Sequence, residues 1–472
     1  MKKTLAALLT IGLLVGLVAA AYAQSVGTTS TSIIVQNLSE SEAQVTVDFW
    51  NTDGDDTGSK METIAGEGSK TFDQRQASGD PGEDPFQGAA IVSSSQPVGA
   101  VVQMVRTGGS GGVNSYDSYN GITEAAQMVK APLILKNISS AGKFFNTTMA
   151  IQNTDTEASA DVTVTFTPMG VGTADTETFT IPAGGSKYLM QEDQTGLGSS
   201  FFGSAEVTVD GDQKVAVAVT SGADDGSSLI AYPTYTEGSL EVNLPGVQKN
   251  IVSQGDLYFT SITIVNMGET GDPAPDVTVE YQPLSGTTSG AYDTGAIDSA
   301  VTIDLRSDPA ITSDTFYGAV KLTNEENSTP FAAMLNWRGD DPVTGDAVFA
   351  TTYGGATGEV TTAYVPYLLK MIPSAGYNWS STIFLQNLAD SGDLDVEITY
   401  KDDTNTYTSD EFEDITDFTA VDLRYDPDLT PATFFGGAKI ESTNGAPFAV
   451  VVLVRGSGGT GDALSSYVGV AP

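Results

Sequence analysis

Short runs of alternating apolar and polar residues recur along the chain. Residues 45–49 (VTVDF), 162–166 (VTVTF), 277–281 (VTVEY) and 396–400 (VEITY) each set β-branched or aromatic positions against polar ones. That period of two marks a strand with one buried face. Gly, Asp, Asn, Ser and Pro cluster between such runs, as turns between short strands require. No segment after the N-terminal apolar run sustains a helical period with caps. The pattern predicts an all-β protein.

The runs belong to a larger repeat. Asn37, Asn153, Asn266 and Asn387 each close an apolar strand pattern (IIVQN, MAIQN, ITIVN, IFLQN). A Phe-x-Gly or Phe-Phe-Gly motif follows, with glycines taken at Gly88, Gly203, Gly318 and Gly437. An apolar run comes next, and a tyrosine closes each unit at Tyr119, Tyr232, Tyr353 and Tyr467. Four anchors in fixed order define four repeats of about 115 residues each, a size and rhythm that suit an antiparallel β-sandwich, with a barrel as the alternative. The expected organisation is a signal peptide over 1–23 and four tandem immunoglobulin-like sandwiches over 24–122, 123–236, 237–357 and 358–472. The recurring glycine reads as a point of close backbone approach or a bulge. The aromatic eight residues before each later Asn (Phe145, Tyr258, Trp379) reads as a core plug.

In the last three repeats a Pro (Pro132, Pro245, Pro366) and a Lys (Lys136, Lys249, Lys370) precede the Asn at fixed distances, and each Pro follows the previous repeat's Tyr by a constant spacing. Links without insertion predict repeats held in a fixed relation, favouring a rod. Counting back from Asn37 puts the equivalent positions inside the leader, and Thr29 replaces the aromatic plug. The first repeat is therefore expected to lack its first strand. An open sheet edge is a template for another chain. Thr29, Ile33 and Val35 are the candidate acceptor positions, and Tyr467, Val468 and Val470 in the tail SYVGVAP the candidate donor. Exchange of that kind would join copies head to tail into a polymer.

The opening MKKTLAALLTIGLLVGLVAAAYAQ, with two lysines, an apolar stretch and Ala21-Tyr22-Ala23 before the cut, is the pattern of a secretory leader. No later stretch has the roughly 18 apolar residues of a spanning helix. The expected location is extracellular or at the cell surface, with no membrane insertion after cleavage. Sixty acidic against twenty basic residues give a net charge of −40, a surface that repels phosphate backbones and excludes nucleic acid as a partner. The absence of His and Cys removes the commonest general base, the usual zinc ligands and all thiol chemistry. Four degenerate repeats offer no unique carboxylate pair in a long loop, so no enzyme is expected.

Calcium is the one cofactor with a candidate loop. NTDGDDTG at 51–58 spaces Asp53 and Asp55 two apart, though the glutamate that ends an EF-hand loop is out of register. The same composition makes an ordinary turn between strands. The tripeptide RGD at 338–340 occupies a position where other repeats carry Arg followed by a Gly-rich turn, so it reads as part of the repeat. Sequons stand at Asn37, Asn137, Asn146, Asn327 and Asn378.

With its VTV and Phe-x-Gly repeats laid out, the chain from residue 25 onward resembles secreted bacterial surface proteins built from tandem immunoglobulin-like sandwiches. The Cys pair of antibody domains is missing, so no site residues carry over. The resemblance implies a role in a fibre, a surface layer or adhesion. A structural subunit is the leading expectation, and a carbohydrate-binding stalk or adhesin the alternative.

Overall fold

The computed structural model describes residues 11–16, 28–73, 86–109, 112–140, 142–253, 256–269, 271–340, 347–358, 360–409, 411–458 and 461–472. It is all-β, built from several antiparallel sheets, with two short 3-10 turns at Gln191–Asp193 and Thr195–Leu197. Among the described residues no helix is long and apolar enough to cross a membrane.

The second repeat shows the plan. One sheet orders the strands Asp175–Ile181, Ala160–Val171, Phe201–Asp210 and Met128–Lys136, the last being the opening strand of the repeat. The other pairs Lys143–Asn153 with Val215–Ala223, which in turn pairs the closing strand Leu229–Pro233. The VTVTF run places Val162, Val164 and Phe166 in the core between the sheets, as its alternation requires. The strand Val215–Ala223, by contrast, is buried at every position. A strand with both faces covered reads as a continuous apolar run, and the reason lies in how the repeats meet.

Four devices recur, two of them in all four repeats and two in the last three. Asn153 Nδ2 donates to the carbonyls of Ala158 (2.8 Å), Pro182 (3.0 Å) and Ile181 (3.4 Å), while its Oδ1 accepts from Asp155 N. Asn37, Asn266 and Asn387 make the same clamp on the same turn. Each motif glycine lies against a carbonyl of the neighbouring strand, where a Cβ would sit 1.9 to 2.2 Å from the oxygen: Trp50 for Gly88, Thr167 for Gly203, Gln282 for Gly318 and Lys401 for Gly436. The equivalent glycine in the fourth repeat is thus Gly436, one residue before the one that spacing selects. The lysine ending each opening strand caps loop carbonyls: Lys136 reaches Gln194 O at 2.5 Å and Lys249 reaches Ile311 O at 3.0 Å. Lys370 does the same with Leu429 O. Finally, the opening strand changes register around its proline in the last three repeats. The closing tyrosine takes a carbonyl beside that proline in all of the last three: Tyr232 donates to Leu133 O, Tyr353 to Pro245 O and Tyr467 to Tyr367 O.

The repeats do not form a rod. The closing strand of the fourth, Gly461–Val468, pairs in parallel with the closing strand of the first, Asn114–Asn120, through Gly461↔Asn114, Asp462↔Ser115 and Ala463↔Tyr116. This joins both into one nine-stranded sheet. The closing strands of the second and third repeats, Leu229–Pro233 and Ala347–Gly354, lie against this pair. All four therefore meet at one centre. Around it, the sheet carrying the clamp asparagine packs on the preceding repeat. Gln386 Nε2 donates to Gln282 Oε1 (2.7 Å) of the third repeat, and Gln36 Nε2 reaches Ala438 O (3.4 Å) of the fourth. Gln103 of the first repeat bonds the Tyr367 hydroxyl of the fourth at 2.7 Å. The rigid links are present, but the apolar second face of each sheet needs a cover, and only closure supplies one to the first repeat.

The first repeat also departs from expectation. The place of its opening strand is not vacant in the full chain. Ile11–Gly16 pairs antiparallel with Gly88–Ser94, Leu13 opposite Val92 and Val15 opposite Ala90. The same partners in the second repeat are Val129 with Val207 and Ala131 with Ala205. The register matches the count back from Asn37, so residues 11–16 supply the opening strand in this chain.

Candidate assembly site at the opening strand of the first repeat

The slot taken by Ile11–Gly16 is bounded by the Gly88–Ser94 backbone. Among the described residues, Gly88–Ser94 pairs Ala43–Asn51 on its other side, so without Ile11–Gly16 this edge is the outermost of its sheet. Beneath the slot lie Ala150 and Ala218 of the second repeat, which belong to the same apolar cluster as Ala90 and Val92. Tyr188 of the second repeat closes one end, its hydroxyl donating to Gly88 O at 2.6 Å. Burial pushes the phenol of Tyr188 well above its usual range, which keeps it a neutral donor.

Tyr119 faces this slot from the closing strand. It is 1% exposed, and its hydroxyl has no hydrogen-bond partner. Its three counterparts each donate to the opening strand of their own repeat. A buried hydroxyl without an acceptor costs about 1–3 kcal/mol. The first repeat therefore keeps a donor in place for a carbonyl that Ile11–Gly16 does not bring to it.

The acceptor positions expected from the sequence lie elsewhere. Ile33 and Val35 are core residues on Thr28–Asn37, a strand paired on both sides, by Ser69–Asp73 and Val98–Thr107. Thr29 pairs Arg106 in that ladder. Neither Ile33 nor Val35 is on an open edge, whereas on the second side of Thr29 the ladder with Ser69–Asp73 ends at Ser32. The donor tail is likewise engaged. Tyr467 is buried, and Asn120 of the first repeat brackets Val468 by two hydrogen bonds of 2.6 and 2.9 Å. Val470 bridges Tyr364 in both directions at 2.8 Å. In the single chain the tail is thus held by the first and fourth repeats.

The remaining candidates fall into place separately. Asn51 Oδ1 accepts from Asp53 N and Asp55 N, so the 51–58 loop is an Asn-held turn with both carboxylates exposed. The loop docks on the second repeat: Thr52 O accepts from Ser186 N at 3.1 Å, and a Cβ on Gly54, at φ 87°, would meet Ala183 O at 2.1 Å. Among the described residues, no three acidic, His or Cys side chains gather into a group able to hold a metal ion. Asn37 is fully buried with its nitrogen in the clamp, so a glycan there would break the fold. Asn146 is buried, its Oδ1 accepting from Asn137 N at 2.8 Å. Asn327 Nδ2 is spent on Ala274 O at 3.0 Å. Asn137 and Asn378 are exposed. Arg338 of the RGD tripeptide is bound to Asp340 and to Ser140 of the second repeat, so it belongs to a junction between repeats.

Two groups escaped the reading of the sequence. Asp117 and Asp462 are fully buried at the centre where the closing strands meet. Asp117 accepts from Ala231 N (2.6 Å), Ser118 N (2.8 Å) and Thr351 Oγ1 (2.6 Å). Asp462 accepts from Ser228 Oγ (3.0 Å), Leu229 N (3.3 Å) and Ala350 N (3.2 Å). Loss of hydration raises both carboxyls well above their usual range, against these hydrogen bonds. Sealed from solvent, they are joints between repeats and not a catalytic pair.

No family model matches the chain, and no curated protein matches it. Among solved structures, a family 32 glycoside hydrolase from Bifidobacterium adolescentis aligns over 97% of this chain and 95% of its own, with 8% identity and a TM-score of 0.12. A likeness that slight carries no argument about fold or chemistry.

Proposed function

We propose that the protein is an exported, non-enzymatic structural subunit of a surface layer or fibre, each repeat an immunoglobulin-like sandwich, and that its first repeat receives a strand from a partner polypeptide once the leader is cut after Ala23. The observation that carries this reading is the unpaired Tyr119 hydroxyl beside an edge whose only complement is leader sequence. Strand addition satisfies such an edge through backbone hydrogen bonds, with alternate side chains filling the groove. The strand it takes carries apolar residues at the positions of Leu13 and Val15, opposite Val92 and Ala90. Because the C-terminal tail is already paired within its own chain, the donor belongs to another surface polypeptide.

The test uses protein of residues 24–472, sized in solution and imaged by electron microscopy, with and without a solubilised peptide of residues 9–20. Peptide binding that raises the melting temperature and blocks assembly on cell-envelope material supports the reading. A stable, monodisperse ring that ignores the peptide overturns it.

A further inference from the structure

Two junctions between repeats share one geometry, and one of the two is hollow. At the junction of the second and third repeats, the ring of Phe259 lies under two guanidinium groups, 3.8 Å from Arg306 and 5.4 Å from Arg338. The strand registers identify the counterparts in the fourth repeat. Phe259 pairs Arg338 as Ser380 pairs Arg455, and Ser261 pairs Asp304 as Thr382 pairs Asp422. Both arginines are kept, Arg424 bound by Asp422 and Arg455 by Asp256 at 2.9 Å. The phenyl ring is not, because Ser380 stands where Phe259 would. In its place is a cavity of about 230 Å3 between the third and fourth repeats.

The walls suit a polyhydroxylated ring. Tyr258, Tyr317 and Phe384 supply aromatic surface, and Ser380, Thr382 and Ser457 supply hydroxyls. Gln248 of the third repeat lines the cavity, with its Oε1 buried and without a partner. The equivalent positions of the second and fourth repeats hold apolar side chains, Leu135 and Leu369, both buried. A polar side chain thus lines the hollow where the other two repeats place leucine. An anion would find both guanidiniums already neutralised by carboxylates.

We propose that this groove binds one neutral pyranose unit of an extracellular glycan, its C–H face on Tyr317, since Arg455 already covers the Tyr258 ring at 4.8 Å, and its hydroxyls on Gln248, Asp422 and Ser380. The inference is independent of strand addition at the first repeat, since the two sites share no residue.

The experiment titrates the full protein with methyl glycosides of glucose, galactose, mannose and N-acetylglucosamine, read by saturation-transfer NMR, with glucuronate and N-acetyl-phenylalaninamide as comparators. At least one neutral glycoside should bind, and Ser380→Phe, which restores the side chain of the third repeat, should weaken it at least about tenfold with melting unchanged. Gln248→Leu should weaken it similarly and serves if Ser380→Phe does not fold. No binding of any neutral glycoside, unchanged affinity in either folded variant, or preference for glucuronate or the phenylalanine amide overturns the proposal.

Discussion

Asp117 and Asp462 lie on neighbouring parallel strands contributed by the first and fourth repeats, and each takes hydrogen bonds from the other two: Ala231 N and Thr351 Oγ1 on Asp117, Leu229 N and Ala350 N on Asp462. Two carboxylates thus do at the centre what a strand ladder would do at an edge. Replacing either by Ala leaves at least two buried donors unsatisfied. Asp117→Ala and Asp462→Ala should each lower stability by about 3 kcal/mol or more, measured by urea unfolding. A loss below about 1 kcal/mol would mean that the four closing strands do not depend on these joints.

The same pair fixes a pH dependence. Burial raises both folded carboxyls well above the ordinary value of 3.8. A group whose pKa rises on folding adds stability that is complete below its unfolded value and is lost as pH climbs through the folded one. The melting temperature of the native protein relative to the Asp117→Asn, Asp462→Asn double variant should therefore be highest near about pH 4 and fall toward neutrality. A gap that widens with pH would show that hydrogen bonding to the ionised form outweighs burial.

The clamp asparagine makes a sharper local prediction. Asn153→Ala removes three carbonyl contacts and the Asp155 N–H bond at a position with no exposure. The expected cost is about 2–3 kcal/mol. Asn378→Ala, at an exposed site, should stay within about 0.5 kcal/mol. Equal effects at the two sites would remove the clamp from the account.

Gly436 and Gly437 separate spacing from structure. A Cβ at Gly436 would lie 2.2 Å from Lys401 O, whereas at Gly437 the closest atom is Val365 O at 3.0 Å. Gly436→Ala should cost about 2 kcal/mol or more through forced strand separation, and Gly437→Ala clearly less. The reverse order would reinstate the register read from the sequence.

These cases mark what local pattern can and cannot convey. The VTV runs announced their strands because alternation is a property of neighbouring residues, and Val162, Val164 and Phe166 point where the period puts them. The four anchors located the repeats for the same reason. Ring closure was harder to see. Its signal is the second apolar face of strands such as Val215–Ala223, buried throughout, and an apolar run reads equally well as the interior of a single sandwich. The FFGG doublet hid which glycine approaches a carbonyl, since only the partner strand distinguishes them. Asp117 and Asp462 look like any loop acid in a chain with sixty acidic residues. The hollow between the third and fourth repeats is one substitution, Phe259 against Ser380, visible only when the registers are laid side by side.

Tyr119 and Tyr353 provide the most direct test of the first-repeat slot. Both are buried closing tyrosines, but Tyr353 donates to Pro245 O while the Tyr119 hydroxyl has no partner. Tyr353→Phe loses a made hydrogen bond and leaves a buried carbonyl short, so it should destabilise by about 1–2 kcal/mol. Tyr119→Phe removes only an unsatisfied hydroxyl, so it should be neutral or stabilise by up to about 1 kcal/mol. When a partner strand occupies the slot and offers its carbonyl, the sign at Tyr119 reverses, and Tyr119→Phe should weaken the partner's binding several-fold. Paired unfolding curves of the two variants, with and without the peptide of residues 9–20, read both states. Destabilisation by Tyr119→Phe in the protein alone would mean that its hydroxyl is already satisfied and that the first repeat has no need of another strand.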